Sequence, residues 1–298
     1  MRPSLLIRVV VGTVRALPGS LVFCAGRLMG WIGYCANRAS RERAIENVRT
    51  CFPQESHRLH RKIAVRGFQH MALSAMDLLR APEEESEVMR RINVRNKHYI
   101  TNALREGKGV VLVTGHFGNV SVLPAAFDGI SKEPAYIMRR PTRRVSWVIR
   151  EARAYRDIYL KPRSIFRSLD SSIADALQLA HLLKRGNVVI VLADLTWGSG
   201  TVLVDLFGIP YLMSRLPASL AILNGASLIP VMTLRNADGT YEVVVEPPIE
   251  KPEGLNHDAR QTMTKNFATI LERFVSSSPE QWCWTHRQGW KTTRAQFQ

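Results

Sequence analysis

The sequence predicts an α/β fold in which short buried strands alternate with helices. Residues 109–115 (GVVLVTG) and 187–194 (NVVIVLAD) are apolar, β-branched runs of strand length bounded by turn residues. Between them, SSIADALQLAHLLKRG (171–186) has helical periodicity and closes on basic residues and Gly186. Strands interleaved with helices make a sheet covered on both faces.

Residues 4–36 are the most apolar part of the chain. Arg8, Arg15 and Arg27 interrupt the run and Pro18-Gly19 splits it. A spanning helix needs ~20 apolar residues with few charges. Two short helices lying in a membrane interface, their Arg side chains reaching to phosphates, suit the pattern better. A single tilted span over 17–36 and a buried helical hairpin are the alternatives. A secretory signal would show an unbroken apolar stretch and a small-residue cleavage site, and neither is clear. The chain is therefore divided into a membrane-associating region at 1–38 and one domain at 39–298.

Two helices are expected next. SRERAIENVRTCF (40–52) carries Ala44, Ile45, Val48 and Phe52 at helical spacing and is stopped by Pro53. HRLHRKIAVRGFQHMALSAMDLLRA (57–81) follows with Ile63, Phe68, Met71, Met76 and Leu79. The acidic cluster at Glu83–Ser86 reads as a solvated turn or a helix start. Beyond the first two strands, SLIPVMTLR (227–235) and YEVVVEPP (241–248) read as two more.

Lys and Arg number 41 against 25 Asp and Glu, a formal charge of +16. Such an excess points to a polyanion: nucleic acid, anionic headgroups, or an acidic carrier. No zinc-finger spacing, aromatic RNA-binding signature or basic heptad is present, so nucleic acid is not expected. Cys24, Cys35, Cys51 and Cys283 form no C-x-x-C pair, which removes the usual zinc and disulfide patterns. Buried structural thiols in a reducing compartment are the default for each.

Chemistry concentrates at GHFGN (115–119). A strand ends at Thr114-Gly115 and His116 follows, with a helix expected to open at Asn119. Ligand sites of α/β sheets gather at the carboxyl ends of strands. Imidazole there is well matched to taking a proton from a hydroxyl near neutral pH. On pattern alone, a lone His after a strand is more often a hydrogen-bonded structural residue. Asp194 ends the second strand and could share the same cleft, or could cap a turn. Ser121 lacks a G-x-S-x-G elbow, so a helix-start hydroxyl suits it better than a nucleophile.

Taken together, these motifs resemble the lipid A biosynthesis acyltransferases of the lauroyl and myristoyl type. That superfamily also holds the phosphatidylinositol mannoside acyltransferases. The similarity runs through GHFGN, AIENVRTCFP (44–53), MRRP (138–141), REARAYRDIYLKPR (150–163), LADLTWGSGTVLVDLFG (192–208), ASLAILNGASLIPVM (218–232) and PEQWCWTHRQGWK (279–291). It implies a mixed central sheet flanked by helices, of the glycerol-phosphate acyltransferase-like kind. It implies transfer of a fatty acyl group from acyl carrier protein or coenzyme A to a glycolipid hydroxyl, with His116 as general base and no metal or bound cofactor. It places the protein at the cytoplasmic face of a bacterial inner membrane, peripheral or singly anchored. Arg140, Arg153, Arg156 and Arg163 occupy the stretch where the family binds phosphate-bearing substrate, and their planar forks suit that role.

Two positions depart from the pattern. The family sets an acid five residues after the His, where this chain has Ser121, and a second acid where it has Thr196. A carboxylate orients an imidazole and stabilises its charged form, so Asp194 is the candidate substitute. A catalytically degenerate member that binds lipid or a partner protein is the alternative function. The closing block Trp282, Trp284, His286, Arg287 and Trp290 reads as sheet-edge packing plus an interfacial aromatic belt, with His286 outside catalysis.

Overall fold

Pro18 divides the N-terminal stretch as expected, giving α1 at Leu5–Ala16 and α2 at Gly19–Ala36. This computed structural model describes residues 5–80, 90–127, 129–130, 136–139, 166–168, 173–195, 200–252, 257–286 and 289–290. The acidic cluster at Glu83–Ser86, Thr196 and the four arginines expected to hold phosphate lie outside the described residues.

α3 (Arg38–Cys51) starts where the Asn37 side chain accepts from the Ser40 amide at 3.0 Å, a cap for one of the free N–H groups of its first turn. α4 (His57–Arg80) is the long helix against which α2 lies. The approach is close because α2 presents glycine there. A Cβ built on Gly30 would stand 2.4 Å from Gln69 Cα, and one on Gly26 2.8 Å from a Leu73 methyl. The opposite side of the α1–α2 pair stays uncovered: Val9, Leu21, Leu28, Met29, Trp31 and Ile32 are exposed. No helix among the described residues is long and apolar enough to cross a membrane.

The sheet is built outward from β2 (Val110–Thr114), buried at every residue, with β1 at Ile92–Arg95. In spatial order its seven strands are β1, β9 (Tyr241–Val245), β8 (Ser227–Arg235), β2, β5 (Val188–Leu192), β3 (Tyr136–Arg139) and β4 (Phe166–Ser168). β8, β2, β5, β3 and β4 run parallel. β9 turns back antiparallel on β8 and β1 follows β9, which makes the sheet mixed.

Alternation along the strands sorts the core into two layers. Val111, Val113, Val189 and Val191 join a cluster with α3, α4, α7 (Ile173–Lys184), α8 (Leu216–Asn224) and α9 (His257–Ser277). Val110, Leu112, Val188 and Ile190 face α5 (His98–Arg105) and the short α6 (Leu123–Ala126). A separate hairpin, β6 (Thr201–Leu206) and β7 (Ile209–Ser214), follows β5. Its two-residue turn has positive φ at both Phe207 and Gly208, the geometry that matches strand twist.

Three expectations are corrected. Trp282, Trp284 and Trp290 are each only 1% exposed and belong to the main core, so they form no interfacial belt. Their rings stack edge-to-face on one another, Trp282 and Trp284 at 4.7 Å between centroids, which gives them more area inside than a membrane surface could. Cys24 and Cys35 are exposed rather than buried, because α2 turns those positions away from α4. Met71, read as a core position, is 40% exposed and borders the site described next.

Replacing Gly30 by Val drives side-chain atoms into the α4 backbone, which cannot move aside as a side chain would. The expected outcome is a stability loss of about 1–3 kcal/mol in urea unfolding, with faster proteolysis of α2.

Candidate active site

Parallel pairing of β2 with β5 aligns Thr114 with Leu192, and the Ala193 amide donates to the Thr114 carbonyl at 2.9 Å. The two chains therefore leave the sheet side by side, and His116 and Asp194 stand together just beyond its edge. Asp194 is fully buried, while the His116 side chain is 21% exposed.

The carboxylate takes three hydrogen bonds. Asp194 Oδ1 accepts from His116 Nδ1 at 2.7 Å. Oδ2 accepts from the His116 amide at 2.7 Å and from Trp282 Nε1 at 2.9 Å. Burial by itself raises the Asp194 pKa, but the His116 charge and hydrogen bonds from His116 and Trp282 outweigh it, and the net shift is downward. An ionised carboxylate only accepts, so Nδ1 carries the ring proton and Nε2 is left as the basic nitrogen. Tyr211 OH donates to the Asp194 carbonyl, fixing the backbone that carries the acid.

The closing block seats itself against the loop that carries His116. Phe117 and Trp282 form an antiparallel bridge, the Gly118 amide donates to the Gln281 carbonyl at 2.8 Å, and the Cys283 amide donates to the His116 carbonyl at 3.0 Å. Gly118 has φ +62° and a Cβ there would collide with the Thr233 carbonyl, so only glycine lets the loop lie this close to β8. From α3, the buried Asn47 side chain donates to the carbonyls of Trp284 at 2.7 Å and His286 at 3.0 Å, and Arg43 donates to that of Thr285 at 3.1 Å. The early helix with its "N…FP" stop thus clamps the last motif of the chain. His286, set aside in the sequence reading, places its ring edge-to-face on His116 with centroids 4.8 Å apart.

Ser121 is spent elsewhere. Its amide and hydroxyl both bond to the Asn119 side chain, the cap of the short 3₁₀ turn at Val120–Val122. Asn119 donates in turn to Tyr241 OH at 3.0 Å, and Tyr241 and Arg235 both bond to Asp77 of α4. His70, on the same face of α4, is held neutral by burial, which takes its pKa down to about 4. The helix opening expected at Asn119 is present, and its polar chain runs from Ser121 to Asp77 and not to His116. Asp77, Tyr241 and Asn47 were not singled out from the sequence, and Trp282 was read there as packing and not as a partner of Asp194. Only the "N…FP" motif gave a signal, for Asn47.

The model of the bacterial lipid A biosynthesis acyltransferases matches residues 4–292. This chain belongs to that family. It is also similar to the lipid A biosynthesis lauroyltransferase of Escherichia coli strain K12, with 26% identity over 290 residues that cover 94% of this chain and 88% of the relative. Family membership indicates an acyltransferase of lipid A-type glycolipid synthesis, and GHFGN, the strand-ending Asp and the closing Trp block are the parts of the resemblance that converge on one point in space.

The indole bond to Asp194 gives a pH-dependent prediction. A carboxyl with a depressed native pKa contributes stability that is complete above its unfolded value near 4 and is lost as pH falls through the native value. Trp282→Phe should cost about 2 kcal/mol or more at pH 7 by urea unfolding. The difference from wild type should narrow at pH 3.

Proposed function

We propose that the protein transfers a fatty acyl group from an acyl thioester, on acyl carrier protein or coenzyme A, to a hydroxyl of a lipid A-type glycolipid. The hydrogen-bonded His116–Asp194 pair at the carboxyl ends of two parallel strands carries the reading. His116 Nε2 removes the hydroxyl proton as the oxygen attacks the thioester carbonyl, and Asp194 stabilises the ring while it is charged. A backbone N–H or an arginine holds the oxyanion. Transfer from a thioester in this way calls for no metal or bound cofactor. Arg140, Arg153, Arg156 and Arg163 are proposed to grip the acceptor's phosphates, and the formal charge of +16 favours an acidic carrier.

The exposed apolar side of α1 and α2, with Arg27 on the same helix as Leu28, Met29, Trp31 and Ile32, supports a peripheral seat on an anionic membrane surface. The cytoplasmic face of the bacterial inner membrane is the proposed location.

Acylation of an under-acylated lipid A-type glycolipid by purified protein tests the reading. His116→Ala should fall to background while still unfolding in one cooperative transition, at a lower temperature because the buried Asp194 loses a donor, and Asp194→Asn should lose ~10²–10⁴ in rate. A His116→Ala protein that keeps more than a few per cent of turnover would remove the base mechanism. A wild type inactive with both thioesters would leave a lipid-binding relative instead.

For the membrane seat, the measurement is flotation with vesicles containing anionic lipid. Leu28→Asp combined with Ile32→Asp should weaken binding at least about tenfold, since each change costs apolar burial and adds a repelled charge. Equal flotation of the variant would overturn the assignment of this surface.

A further inference from the structure

Two imidazoles stand side by side at this site. Asp194 takes the His116 ring through Nδ1 and the His116 amide through its other oxygen, so the orientation of that ring is fixed. The His286 ring meets it edge-to-face, with centroids 4.8 Å apart and planes at 70°. Its place is set from behind. Asn47 donates to the His286 carbonyl at 3.0 Å and Arg43 to the Thr285 carbonyl at 3.1 Å, so α3 brings this ring to the site by the backbone and leaves the side chain out of the clamp. The His116 side chain is 21% exposed and His286 is partly exposed, which lets both meet a bound substrate.

Direct transfer has two protons to manage. The acceptor hydroxyl gives one up to His116, and the departing carrier sulfur needs one. Asp194 spends its oxygens on the His116 ring and amide and on the Trp282 indole, and among the described residues no carboxylate is hydrogen-bonded to the His286 ring. Two imidazolium rings at this separation repel, so the pair takes its first proton far more readily than a second. A proton arriving on His116 therefore favours the loss of one from His286. The other groups facing His286 are Cys283 of its own segment, Asp194 beyond β5 and Arg43 of α3. The charge of Cys283, with its hydrogen bond and the Asp194 charge, outweighs burial and Arg43 and carries the His286 pKa up to about 9. That is close to an ordinary alkyl thiol, the match that favours proton transfer between them.

We propose that His286 is a second catalytic imidazole, a general acid that gives its proton to the sulfur of the departing carrier as His116 takes the proton of the acceptor hydroxyl. The inference rests on the thioester-donor reading given above. The hydroxyl oxygen attacks the thioester carbonyl and forms the new carbon–oxygen bond, and its proton passes to His116 Nε2. The carbon–sulfur bond then breaks, the sulfur keeps the electron pair, and the His286 proton joins it. His286 starts charged and His116 ends charged, so the pair carries one positive charge throughout, beside the one negative charge of Asp194. A lone imidazole held as His116 is would have to serve both the oxygen and the sulfur from one fixed position. The proton left on His116 returns to His286 through the solvent that both rings reach. The sum is thioester plus alcohol giving ester plus thiol, with no further reactant.

The test varies the leaving sulfur. The full-length protein acylates an under-acylated lipid A-type glycolipid from lauroyl-coenzyme A, from lauroyl-acyl carrier protein, or from the lauroyl thioester of thionitrobenzoate, whose stabilised thiolate leaves without a proton. His286→Gln, with His286→Asn read beside it, should lose about 10²-fold or more in kcat on the first two donors and less than about tenfold on the third. His116→Ala should be inactive with all three, because the hydroxyl must lose its proton whichever sulfur leaves. Both His286 variants should unfold in one cooperative transition, since Asn47 and Arg43 hold the segment by its carbonyls. An equal loss on all three donors would reduce His286 to packing and overturn the general acid. Full-rate turnover of lauroyl-coenzyme A by His286→Gln would overturn it too. Either result leaves the transferase reading standing. A wild type that turns over none of the three would strike the donor reading itself, and the general acid with it.

Discussion

The structure depends on a single negative charge placed where water cannot reach it. Asp194 is fully buried, and a buried carboxylate is costly unless every lone pair finds a donor. Its donors come from two distant parts of the chain: the His116 amide and ring at the end of β2, and the Trp282 indole in the closing block. The carboxylate thus ties the sheet edge, the His116 loop and the closing block together. The same bonds that make its burial tolerable also select the His116 tautomer. Structural and chemical demands on Asp194 coincide here, because the interaction that stabilises the fold is the one that leaves Nε2 free to accept a proton.

Around this centre the support is arranged in two arms. Asn47 and Arg43 of α3 hold the backbone carbonyls from Trp284 to His286, which fixes the height of the closing block over the loop. Asp77 of α4, through Tyr241 and Asn119, holds the turn that follows His116. The position where the family sets a loop acid is here a serine that caps this turn through Asn119. A carboxylate is still present in that arm, supplied by a helix instead of by the loop.

Much of this was legible in the sequence, and the reason differs from element to element. β2 and β5 are readable because a strand buried on both faces leaves an unbroken β-branched run, and Pro18 leaves no choice about where α1 ends. GHFGN and the strand-ending Asp were recognisable by type and by position at strand ends. Their partnership was open until the strand register placed Thr114 beside Leu192. The tryptophans misled because a Trp has the same composition signal at a membrane interface and in a core, and only packing distinguishes them. β3 and β4 are too short to stand out from the basic stretch between them, and the β6–β7 hairpin hides in a segment whose Asp and FG motif drew attention first. Asp77, at an ordinary exposed-looking helix position, gave no local sign of its part in a network closed by residues far along the chain.

Completion of the site has a place in time as well as in space. The Trp282 donor lies 88 residues after Asp194, and the His116 donors 78 residues before it. At roughly 5–20 residues per second, synthesis leaves the aspartate without its indole for about 4–18 seconds. During that interval the sheet edge carries a charge short of one hydrogen bond, and β2 has no cover on the loop beyond it. A chain that stalls before Trp282 would therefore be marked by poor stability. A growing polypeptide cannot assemble this site before its own architecture is finished.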